Sequence, residues 1–177
     1  EFLLVLEGEC EITSDKTRTY KEDDIIMINA YEPHSVLSRS GAVMLALQVS
    51  DSVFGTDGGF SVDSVRYPDS DYTGIKSIMA HLIKLHSEKK QNCEILMQSL
   101  ILRLKYELVS NFRADAEGAE KFDRYRKHIS KLSGVLDYIK ANYHTEISLG
   151  KTAAEFFFSP AYLSRLFEKT MGITFKK

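Results

Sequence analysis

The sequence predicts an α+β chain, with strands in the first third and helices from there to the end. Three observations carry this. Residues 1 to about 67 hold short apolar or alternating runs separated by turn residues. From Ile75 onward, apolar residues recur at three- and four-residue spacing instead. Residues 124–177 are basic, with ten Lys/Arg against four Asp/Glu, whereas the rest holds thirteen against twenty-one. A basic block on an acidic body predicts two parts that meet different partners.

The strands come first. Phe2 to Leu6 is a continuous apolar run, followed by Gly8 and the alternating Glu9 to Thr13. Thr17 to Tyr20, Ile25 to Ile28, Ser35 to Leu37 and Val43 to Val49 follow, with Ser-Asp, Glu-Asp and Glu-Pro turn material between them. Many short strands with regular turn signals predict a β-sandwich or barrel over 1–67. Residues 55–59 and 67–71 read as loops. Ile75, Ile78, Met79 and Leu82 then mark one helix, ending near His86, and Leu96, Leu100, Ile101, Leu104 and Leu108 a second. The two make an antiparallel helix pair over 72–113. Small and acidic residues fill 114–120 (ADAEGAE), so 114–123 reads as a linker. Leu132, Val135, Leu136 and Ile139 mark a third helix, ending near Asn142, which opens a last domain over 124–177.

With 44% hydrophobic and 27% charged residues in 177, the composition is that of a globular protein with a real core. A net charge of -2 argues against a protein that coats nucleic acid over its whole surface. Cys10 and Cys93 stand far apart and in no metal-ligand spacing, so a reducing cytoplasm is the simpler setting. No apolar run approaches the ~20 residues of a membrane-spanning helix, and no signal peptide is visible. Phe2 to Leu6 reads as a strand already under way and Ile173 to Lys177 stops without a tail, so a piece of a longer protein is expected.

The most informative stretch is residues 148–175, SLGKTAAEFFFSPAYLSRLFEKTMGITF. Ser148 suits a helix N-cap, and Leu149, Thr152, Ala153 and Phe156 share one face of the helix it would open. Ser159-Pro160 is a second start signal, because proline's missing N–H would be unpaired at the first helical position anyway. The new helix turns Leu163, Leu166 and Phe167 inward and gathers Ala161, Ser164, Arg165 and Glu168 on the opposite face. Gly172 suits a left-handed C-cap. Two short helices joined by about three residues match the helix-turn-helix that reads DNA, and equally a helical hairpin that closes a core.

Leu149, Ala153, Ser159-Pro160, Tyr162-Leu163-Ser164-Arg165, Phe167 and Gly172 together resemble the first helix-turn-helix of AraC/XylS-type bacterial transcription regulators. Tyr138-Ile139 and Asn142-Tyr143 resemble the opening helix of that family's DNA-binding domain. Phe157 departs from the pattern, which favours a small or polar residue at the turn. The resemblance implies that Ala161, Ser164 and Arg165 face base edges in the major groove. Arginine bonds bidentately to guanine there, for about 1–3 kcal/mol of discrimination. Lys169, Lys176 and the first N–H groups of the second helix are candidates for phosphate contact, with Lys169 equally readable as a solvated charge. The family carries a second helix-turn-helix further on, so weak binding to double-stranded DNA is expected of this chain alone.

Gly8-Glu9, Glu22-Asp23-Asp24, Ile28-Asn29 and Pro33-His34 resemble the cupin-like sensor domain of many such regulators, with Asp23 where glycine is usual. That resemblance implies a cupin-like β-barrel or sandwich binding a small effector, with a sugar as the first ligand class. Candidate pocket residues are Glu7, Glu9, Asn29, Glu32 and His34, each equally readable as a polar side chain that simply meets water. No H-x-H occurs, and zinc or iron wants three or four ligands, so no metal, cofactor or catalytic residue is expected. The 72–113 pair resembles the family's dimerisation helices; its leucines can pack on the barrel, on a partner subunit, or on both. The expected function is thus a ligand-responsive, sequence-specific transcription regulator, a homodimer acting on DNA and the transcription machinery, and not an enzyme. Its rivals are a cupin-type metal enzyme (isomerase or oxygenase) with a helical extension and an adaptor that does not bind DNA.

Overall fold

A computed structural model describes residues 1–30, 32–54, 59–88 and 91–175. Its elements run β1 (Phe2–Thr13), β2 (Thr17–Lys21), β3 (Ile25–Met27), β4 (Ser35–Leu37), β5 (Ala42–Leu47), α1 (Asp51–Phe54), α2 (Thr73–Glu88), α3 (Cys93–Asn111), α4 (Ala116–Asn142), α5 (Leu149–Glu155) and α6 (Pro160–Met171). The chain forms two compact units: Glu1–Ala30 with His34–Phe122, and Asp123–Lys177 with the short stretch Tyr31–Pro33.

In the first unit every strand hangs on β1. Its first part, Phe2 to Gly8, pairs antiparallel with β3 and β5, and Glu9 to Thr13 pairs with β2 and β4. The change of partners falls at a register shift between Val5 and Glu7 and at Gly8, whose φ is +78°. A Cβ at Gly8 would stand 2.5 Å from the Gly41 carbonyl oxygen, so only glycine fits this bend. Asp23 takes φ +71° in the turn before β3, the place where glycine is usual. Its neighbour Asp24 closes that turn, accepting the Lys21 N–H on Oδ2 and donating its own N–H to the Lys21 carbonyl.

The sheet is mixed with helices but does not close, which corrects the expectation of a barrel. Among the described residues β2, β3, β4 and β5 each pair with β1 and not with one another. Closure needs every strand to have two neighbours, and only β1 does.

Both faces of β1 are buried from Phe2 to Val5, which explains the apolar run there. Phe2 and Leu4 join Ile25 and Met27 in a core with α2 and α3, where Ile75, Ile78, Met79, Leu82, Leu100, Leu104 and Leu108 are buried. Leu3 and Val5 face the other way, into a second cluster with Cys10, Ile12, Tyr20, Ile26 and Ile28. Leu96, expected on the buried stripe of α3, is exposed instead, because that helix turns its Leu100–Leu104–Leu108 edge inward. The short α1 carries Phe54 into the first core, edge-on to Phe2 and Phe60.

The stretch 114–123, read as a linker, is mostly helical. Asp115 Oδ1 accepts the Gly118 N–H at 2.8 Å, which caps α4 at Ala116. Alanine and glutamate then propagate the helix, and the change of unit falls between Phe122 and Asp123, inside it.

Candidate nucleic-acid interface

The second unit is built around a small core. Leu132 and Val135 of α4, Ala153 of α5 and Leu163, Leu166 and Phe167 of α6 are buried together. Ala153 is fully buried, so its size sets how closely α5 and α6 cross. Gly134 does the same for α4: a Cβ there would lie 2.9 Å from the Phe156 ring, which also meets Tyr138 edge-on. Gly134 is not among the residues the sequence singles out, where its only signal is a glycine within an otherwise helical run.

Local hydrogen bonds fix both helix starts. Ser148 Oγ accepts the Lys151 N–H at 3.3 Å, and Ser159 Oγ accepts the Tyr162 N–H at 3.2 Å, with Pro160 at the first helical position. The turn between them has a definite chemistry. Phe157 sits at φ +57°, its N–H donates to the Ala154 carbonyl, and the Phe158 N–H donates to Ala153. This is a Schellman ending, in which the left-handed residue is usually glycine. Here it is phenylalanine, 97% exposed, while Phe156 and Phe158 on either side pack on the core. Gly172, at φ +68°, ends α6 with its N–H on the Glu168 carbonyl.

The caps and core leave one face of α6 to solvent. Ala161, Arg165, Glu168 and Lys169 are exposed and Ser164 is half-buried. No ion pair holds Arg165 among the described residues. Lys176, also expected to meet phosphate, lies outside the described residues. A short helix anchored on one side, presenting small residues and an arginine on the other, has the shape of a groove reader.

Residues 139–177 match the family model for bacterial regulatory helix-turn-helix proteins of the AraC family. These residues carry an AraC-type helix-turn-helix. That helix-turn-helix supports a DNA-binding regulator of transcription. Neither the curated proteins nor the solved structures compared with the chain give a match. No helix among the described residues is long and apolar enough to cross a membrane.

The expected effector residues stand in different settings. Asn29 is half-buried and pins a backbone: its Nδ2 donates to the Phe60 carbonyl and its Oδ1 accepts the Phe60 N–H, both at 2.9 Å. His34 Nε2 lies 3.1 Å from Glu1 Oε2, Glu32 is half-buried, and Glu7 is exposed. Glu9 lines a cleft of about 80 Å³, with Glu11, Thr19, Leu37, Arg39 and Ser40. Pockets for drug-sized ligands usually run to about 300–1,000 Å³, so this cleft is small. No three His, Cys, Asp or Glu side chains among the described residues are grouped as metal ligands would be.

Proposed function

We propose that this AraC-family regulator reads DNA sequence through α6 and answers to a small effector bound by its first unit. The observation that carries the first half is the exposed Ala161–Ser164–Arg165 face on a helix whose other side is locked into the core. Arg165 reads guanine, Ala161 and Ser164 allow close approach, and Lys169 and Lys176 meet phosphate. To test this, preferred duplexes are selected from random-sequence DNA with the wild-type chain and rebound by Arg165→Ala. The variant is expected to lose about 1–3 kcal/mol at one guanine and to melt normally. Unchanged affinity and preference would remove Arg165 from the reading role.

The second half rests on the cupin-like pattern around Gly8, Asp23 and His34, with Glu7, Glu9, Asn29, Glu32 and His34 as first candidates and a sugar as first ligand class. A thermal-shift screen of sugars and other small metabolites tests it. The regulator acts in the cytoplasm as a homodimer, joined through the outer side of α3. There Ile95, Leu102 and Tyr106 recur at i, i+7 and i+11 and are 70%, 64% and 68% exposed. Paired subunits suit repeated half-sites. Sedimentation of Leu102→Glu beside the wild type checks that interface, and a wild-type monomer would sink it.

A further inference from the structure

Part of the basic excess of the second unit lies beside the α4–α6 packing. Arg124, His128 and Lys131 follow at i, i+4 and i+7 on α4, within an arc of about 60°. The next residues along this part of the helix, Leu132 and Val135, are buried against Leu163, Leu166 and Phe167. Lys169 stands three residues past Leu166 on α6, and Lys169, Lys131 and Arg124 all act electrostatically on His128. The three long cations are exposed and the imidazole is half-buried. Arg165, one turn before Lys169, continues the same basic strip onto the outer face of α6.

Positive charge gathered from two helices raises the potential over this surface and favours an anion there. The major groove is about 12 Å wide and a helix with its side chains nearly fills it. A part packed beside the inserted helix therefore lies over a phosphate strand.

We propose that Arg124, Lys131 and Lys169, with His128 among them, form a strip that grips the DNA backbone beside the groove entered by α6. The proposal rests on the DNA-reading role of α6 and adds α4 as a second contacting element. It also gives His128 a use. Burial first, and then Lys169, Lys131 and Arg124, hold its pKa below the ordinary histidine value. A phosphate laid across those cations offsets their repulsion, so DNA binding takes up a proton at this site as pH falls.

The test measures binding of the whole chain to a mixed-sequence duplex by fluorescence anisotropy across a KCl series. The wild type is compared with Lys131→Gln/Lys169→Gln and, independently, with Arg124→Gln. Each lost phosphate contact makes the slope of log K against log salt shallower by about 0.9, so the double variant is expected to lose about 1.8. His128→Gln is expected to remove part of the rise in affinity between about pH 7.5 and 6. Slopes and pH dependence equal to those of a binding wild type would overturn the strip and leave the reading role of α6 intact. A wild type that binds no duplex would overturn both. Normal melting of these surface variants shows that any loss is one of contact and not of fold.

Discussion

The two units secure their cores by opposite means. In the first, four strands and two long helices pack around β1, and the core joins residues distant in sequence. In the second, three helices meet over a handful of side chains, while caps and a turn made from adjacent residues set the geometry. A large core tolerates one missing methyl cluster better than a small one. The helix-turn-helix should therefore be the fragile half despite its stronger local signals.

Truncation in each core gives the largest contrast. Leu163→Ala and Leu104→Ala each remove a fully buried leucine, at a cost of about 2–5 kcal/mol. Hydrogen exchange followed by unit is expected to show the second unit opening in Leu163→Ala while the first stays protected. Equal protection of both units in that variant would end the contrast. Phe157→Gly comes next. It relieves a left-handed phenylalanine that packs on nothing, and glycine's greater freedom when unfolded takes back part of the gain. A net stabilisation of about 1 kcal/mol in denaturant titration is expected; a loss would mean that the ring has a partner.

Each unit also buries one hydroxyl that finds no hydrogen-bond partner among the described residues: Tyr20 in the first, Thr152 in the second. Burial, and then the nearby Asp63 carboxylate, push the Tyr20 phenol above its usual pKa and keep it neutral. Thr152→Val and Tyr20→Phe are each expected to be neutral or to stabilise by up to about 1 kcal/mol, because an orphan polar group is removed. Destabilisation by Tyr20→Phe alone would reveal a bond to Asp63. The smallest effect is pH dependence without DNA. The folded His128 has a depressed pKa, so the folded form resists protonation. Stability is then full above the unfolded value of about 6.5 and declines as pH falls through it. Melting of the second unit between about pH 7.5 and 5.5 should flatten in His128→Gln.

The contrast also decides how much of each unit is legible in the sequence. Ser148, Ser159-Pro160 and Gly172 announce their helices because each acts on backbone groups within four residues. Ser35–Leu37 was legible from composition and turns alone. Strand pairing was not, since nothing in β4 or β5 says that their partner is β1 on the same terms as β2 and β3. Asn29 reads as a free amide until Phe60, distant in sequence, comes to lie against it. The ADAEGAE stretch has loop-like composition, and the capping role of Asp115 appears only when Gly118 is helical. The reading face of α6 was legible through periodicity, whereas the strip beside it needed the packing of two helices.

The single hub strand of the first unit bears on how the chain is made. Ribosomes deliver β1 before β2, β3, β4 and β5, and β5 follows only some thirty residues after β1 ends. Until then Phe2 to Leu6 is an uncharged, strongly apolar segment whose β5 edge has open hydrogen bonds and whose other edge is covered by β3 at Phe2 to Leu4 only, the kind of segment that recruits a neighbouring nascent chain. α5 and α6 need only their own turn and α4, so they fold from local contacts and form fast. Yield in the cell should therefore be governed by the time β1 spends alone. Slower synthesis through residues 14–47 should cost soluble protein more than the same delay through 148–171.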